Sequence, residues 1–179
     1  MSRGDGGLLE AAERRGPAST GAYAFGLCLV VLVACGLVGM LLHQPFLFPS
    51  LGPTVMLFVE DPRQASATPR ATLIGHGVAL LAGAACLALF GLTDHPPVTQ
   101  EGLTAARTAA AALSVAATAL VLKVLGASHP PAGATTLIVS LGILTSAAEL
   151  LTMAAAVVLV TVLAVAISRL LGVRLPLWR

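Results

Sequence analysis

The sequence predicts an all-α polytopic membrane bundle of two inverted repeats. Each repeat is a helix, a broken element and a helix, giving four long helices plus two short broken helices. Three observations predict it. First, 57% of the 179 residues are hydrophobic and only 10% charged, with a mean hydropathy of +0.94. A soluble domain has about a quarter of its residues charged, and so few ionic groups could not cover a soluble surface. Second, four nearly uncharged stretches each approach the ~20 residues a helix needs to cross the hydrocarbon core. Third, two segments interrupted by proline and glycine recur at a fixed offset.

The four stretches are Ala22–Leu42, Thr72–Leu92, Leu103–Gly126 and Leu150–Leu171. Backbone in lipid must bond to itself, so each reads as a helix. They are rich in small residues. Ala105, Ala109, Ala112 and Ala116 recur at helical spacing, as do Gly36 and Gly39, and small residues let helices approach closely. Cys28, Cys35 and Cys86 lie inside apolar runs with no CxxC spacing. They read as packing residues, with no disulfide framework, metal site or cofactor implied.

Between these helices lie His43–Val59 and Ser128–Leu144. Each opens on prolines and a glycine and closes on an uncharged run. Proline lacks a backbone donor and disfavours helix in the residue before it, so each opening is extended or turned and a short helix follows. Pro49-Ser50-Leu51-Gly52-Pro53-Thr54 matches Pro130-Pro131-Ala132-Gly133-Ala134-Thr135 as Pro-x-x-Gly-x-Thr, an offset of 81 residues (49 to 130). The same offset carries the first long helix onto the third and the second close to the fourth. Paired interrupted segments in matching positions of two halves point to a transporter's binding site.

The organisation follows. Residues 1–21 form a polar tail that lacks the order of a secretory signal; Leu8, Leu9, Ala11 and Ala12 suggest at most a short surface turn. Residues 22–171 form one transmembrane domain, with repeat 1 over about 22–92 and repeat 2 over about 103–171. Residues 172–179 form a short basic tail. Arg3, Arg14, Arg15, Arg63, Arg70, Lys123, Arg169, Arg174 and Arg179 fall on one side if each broken element crosses the membrane. The loops around Asp94, Glu101 and Glu149, which lack Lys and Arg, then fall on the other. That is the positive-inside pattern, with both termini cytoplasmic. Six crossings make the second repeat upside down relative to the first. Arg107 and Lys123, near helix ends, are expected to snorkel to the interface.

The chemistry-bearing residues concentrate in the broken elements. His129, beside Pro130 and Pro131, offers an ionisable group within the membrane, by default a functional feature; a histidine capping backbone is the competing reading. Ser50, Thr54, Ser128, Thr135 and Thr136 offer hydroxyls to a ligand or to a helix end. Pro49, Pro130 and Pro131 hold the chain non-helical, and Gly52 and Gly133 allow close approach of backbone to a ligand. Helix N-termini present free N–H groups and a positive dipole, an arrangement that suits a small anion. Two such termini are expected to converge on one polar cavity near the midplane. His76, between Gly75 and Gly77, faces either this pathway or a neighbouring helix.

At Ser128-His129-Pro130-Pro131-Ala132-Gly133-Ala134-Thr135, and upstream at Phe48–Thr54 followed by Glu60-Asp61-Pro62, the chain resembles the HPP family of small integral membrane proteins over about residues 22–171. Members are described with four predicted membrane helices, and some plastid and cyanobacterial members are associated with nitrite transport. The resemblance implies a transporter-like protein and suggests nitrite. No Walker A, HExxH or GxSxG motif is present, so no enzyme is expected. The expected function is transport of a small solute, with a small anion such as nitrite and the lipid bilayer as partners. A homo-oligomer is expected because a chain this short has little mass to shield a pathway. A net charge of +2 gives no argument for nucleic acid. The expected location is a bacterial inner membrane. A structural or regulatory membrane subunit, or a membrane-embedded hydrolase, are the alternatives.

Overall fold

A computed structural model describes residues 7–173 and Pro176; Arg3, Arg174 and Arg179 of the two tails lie outside the described residues. Every regular element among the described residues is helical: α1 Leu8–Arg15, α2 Pro17–Leu42, α3 Leu51–Glu60, a 3-10 turn Ala65–Ala67, α4 Pro69–Leu89, α5 Val98–Glu101, α6 Ala105–Val124, α7 Pro131–Ser140 and α8 Ala147–Leu170. Helices α2, α4, α6 and α8 are long and apolar enough to cross a membrane.

Local sequence sets the helix starts. Thr68 caps α4 by accepting from the Ala71 amide, with Pro69 at the first helical position. Thr104 caps α6 in the same way through Arg107 N. Ser146 and Glu149 form a reciprocal capping box on α8, satisfying two amides that would otherwise lack intrahelical partners. The tail differs from expectation. Leu8–Arg15 is helical, with Leu9 and Ala12 buried, and α2 begins at Pro17. The physical reason is docking: Leu8 N donates to Leu171 O, and Arg63 bonds Glu10 at 3.4 Å.

These contacts define one end of the bundle. It holds α1, the α3–α4 loop, the C-terminal end of α8 and the C-terminal end of α6, whose Leu125 and Gly126 carbonyls accept from Arg70. The opposite end joins Gln44, after α2, to Thr152 near the start of α8, and joins Val98 N to Leu141 O. Each broken element therefore runs from one end to the other. Residues 43–50 return as non-helical chain from the end of α2, and α3 completes the passage to the first end. Residues 126–130 enter from the first end, and α7 leads to the second. A ten-residue helix covers about 15 Å, and the non-helical chain supplies the remainder of a core about 30 Å thick. Repeat 1 begins at the end where repeat 2 finishes, so the repeats are inverted.

Glycines set the close approaches. A Cβ on Gly39 would lie 2.7 Å from Gln44 O, and one on Gly36 would lie 3.2 Å from Leu47 Cδ1. These glycines seat the returning chain rather than a neighbouring helix. On α4, Gly75, Ala79 and Gly83 form a smooth stripe for α7: added Cβ atoms would stand 2.8 Å from His129 Cβ and 2.7 Å from Val139 Cβ. Two expectations for α6 are overturned. Ala105, Ala109, Ala112 and Ala116 are exposed, and the packed face is Arg107, Ala110, Ala111, Ser114 and Thr118. Arg107 does not snorkel; it is fully buried, because Pro96 O accepts its Nη2 proton at 2.8 Å beneath α5. Lys123 is exposed, as snorkelling requires. Phe25, Met40, Leu81, Leu120, Val124 and Leu151 stand open on the outer faces, the distribution expected where the solvent is lipid.

Candidate functional site

Helix α4 passes between the two broken elements, and His76 faces both. Its Nε2 lies 3.0 Å from Thr54 Oγ1 on α3, and its Nδ1 lies 2.7 Å from Thr135 Oγ1 on α7. Thr135 donates to Ser50 Oγ at 2.8 Å, closing a direct contact between the repeats. Thr54 also donates to Ser50 O at 2.9 Å. Ser50, Thr54, His76 and Thr135 are all buried. In the neutral ring one His76 nitrogen donates to a threonine hydroxyl and the other accepts from one, so either tautomer joins α3 and α7 through α4.

His129 lies one step further toward the first end. Its ring meets His76 edge-on with centroids 5.0 Å apart. Its Nδ1 lies 2.8 Å from Ser66 O. A carbonyl only accepts, so Nδ1 carries a proton, and in the neutral ring Nε2 is a bare acceptor. That Nε2 is buried and has no partner. His129 lines a pocket of about 590 Å³ between α6 and the start of α7, together with Thr118, Lys123, Ser128, Pro130 and Gly133; Val115, Leu120 and Leu122 supply apolar walls.

The expected residues divide into groups. Ser50, Thr54, Thr135 and His76 form the seam between repeats. Ser128, His129, Pro130 and Gly133 line the pocket. Thr136 bonds Thr118 at 3.0 Å across the α6–α7 contact. Pro131 is buried at the first position of α7. Pro49 is exposed, and Gly52 has open space about its Cα rather than a close backbone neighbour. Gly133 likewise meets nothing within 4 Å.

The expectation of two converging helix N-termini is corrected. Ser50, at the start of α3, touches Thr135 in the middle of α7. His129, two residues before α7, instead faces Gly75 and Ser66. Nor are the first amides of α7 free: Pro131 has none, and Ala132 and Gly133 donate to the His129 and Pro130 carbonyls. The seam is packed hydroxyl against hydroxyl rather than open. Thr118, Lys123, Gly75 and Gly83 were not singled out for this site. Gly75, Ala79 and Gly83 carried a signal, small residues at four-residue spacing around His76. Thr118 carried none.

No group of His, Cys, Asp and Glu among the described residues could hold a metal ion. The arrangement offers imidazoles, hydroxyls and one peripheral ammonium, which suits binding and proton exchange. An integral multi-pass membrane protein with two broken, inverted elements is the class that fold and site define. The chain belongs to the HPP family: the family model described as HPP, transmembrane region, matches residues 13–176. No curated protein and no solved structure matches the chain.

Proposed function

We propose that this protein transports a small anion, such as nitrite, across a bacterial inner membrane together with a proton. The observation that carries the reading is His129, which lines the pocket beside the seam between inverted repeats and whose Nε2 is buried without a partner. A buried polar atom without a partner is costly, and a weak acid entering the pocket supplies the missing donor. Its proton passes to Nε2, and the anion remains beside the resulting imidazolium. Lys123 and Ser128 attract the anion at the mouth, and Gly133 leaves it room. An imidazolium buried without a counter-charge is unfavourable, so anion and proton bind together. The basic end of the bundle is cytoplasmic. The packed hydroxyl seam alone also suits a structural subunit; the unpartnered nitrogen favours transport.

The test is uptake into proteoliposomes of nitrite, nitrate, formate, bicarbonate and chloride, with and without an inward proton gradient. The reading expects uptake of at least one weak-acid anion, accelerated by external acidification. Absence of uptake for all five would overturn it, and uptake indifferent to the gradient would remove the proton.

A further inference from the structure

Arg107 occupies the first turn of α6 at the end remote from the His129 pocket, and none of its surface is exposed. Its guanidinium is tethered at one nitrogen: Nη2 donates to Pro96 O at 2.8 Å and lies 3.9 Å from Glu101. Nε and Nη1 are buried and without partners. Gly142, held at φ +78, brings its bare Cα against the guanidinium, and a Cβ there would stand 2.8 Å from Nη1.

Arginine remains charged in proteins, and a buried charge with unused donors is strongly unfavourable. Glu101 offsets the charge only in part, since it is too distant for a hydrogen bond and its side chain is 32% exposed. Glu149 is committed elsewhere, accepting from Thr145 N, Ser146 N and Ser146 Oγ. Arg107 is also the only Lys or Arg among the described residues at this end.

We infer that Arg107 binds a small, planar, monovalent oxyanion of the carboxylate class. A guanidinium is planar and presents its donors in the geometry such anions accept. A single cation beside acidic loops disfavours a divalent ion, and because Nε and Nη1 are fully buried against Gly142, a ligand reaches them only by displacing that backbone, which restricts it to a few atoms. The site stands whether or not the protein transports.

The test is formate binding to the purified full-length protein in detergent, by calorimetry and by the shift in unfolding midpoint, at constant ionic strength with sulfate as comparison. Saturable formate binding is expected, with sulfate weaker. R107Q should weaken formate at least tenfold, and E101Q should tighten it severalfold by removing the competing carboxylate. E101Q keeps Arg107 intact, so it decides the matter even if R107Q does not fold. No formate binding to the unaltered protein, equal affinity in R107Q, or unchanged or weaker affinity in E101Q would overturn the assignment. H129A should abolish uptake while leaving formate binding at Arg107 in place. Formate binding without any uptake would sink the transport reading alone.

Discussion

His76 and His129 are buried together, and their partners decide what each can do. Thr135 is the residue both repeats share, touching Ser50 and His76 at once. Thr135→Val keeps the shape and removes the hydroxyl. It should destabilise the protein by roughly 1–3 kcal/mol, the cost of leaving buried polar atoms unpaired. Thr152→Val, at a half-buried position whose hydroxyl bonds are open to solvent, should leave the unfolding midpoint nearly unchanged. His129→Ala removes the bare Nε2 and should lower uptake at least tenfold, whereas Lys123→Ala, which strips charge only from the pocket mouth, should reduce it by less. A ratio near one between the two variants, measured as initial uptake rates, would contradict the role given to His129. The histidines and the hydroxyls of the broken elements were legible in the sequence because ionisable and hydroxyl groups are rare in apolar runs, whereas Thr118, inside a long helix, was not. Nor was Arg107. Its position near a helix end reads as snorkelling, and only the fold places Pro96 O and α5 over it.

Helix–helix approach is decided by Gly75, Ala79 and Gly83, which let α7 lie directly on α4. Gly83→Ala places a methyl 2.7 Å from Val139 Cβ and should cost about 1–3 kcal/mol through overpacking. Gly133→Ala should be tolerated, because its Cα faces open space beside the pocket. Unfolding midpoints of the two variants check the contrast, and equal losses would refute it. The long helices were legible from composition, with ends within a few residues of those found, because hydrocarbon enforces both length and apolarity. The broken elements were legible from proline and glycine. The packing face of α6 was not: a helix immersed in lipid is apolar all round, so alanine spacing cannot separate a lipid-facing stripe from a buried one. Burial of Arg107, Ser114 and Thr118 marks the true face, and it is polar. That reversal is physical, since lipid is as apolar as any side chain and polar groups must turn inward.

At the scale of the molecule, the inversion of the repeats and the distribution of charge constrain each other. Broken elements that run from end to end put Arg14, Arg15, Arg63, Arg70, Lys123 and Arg169 at one end, and leave Asp94, Glu101 and Glu149 at the other with Arg107 buried beneath. If the broken elements merely dipped in and returned, the Arg63 loop and the Glu101 loop would exchange sides and the charge bias would vanish. Ala65 and Gln100, both exposed, mark these two loops. In a background with Cys28, Cys35 and Cys86 replaced, Ala65→Cys should react with an impermeant thiol reagent only from the cytoplasmic side. Gln100→Cys should react only from the opposite side. The cysteines do not disturb the seam, because neither position touches Ser50, His76 or Thr135. Labelling of both from one side would mean that the chain re-enters rather than crosses. The Ser50–Thr135 contact would then join two loops rather than two oppositely directed crossings, and the pocket beside His129 would lose its relation to a transmembrane path.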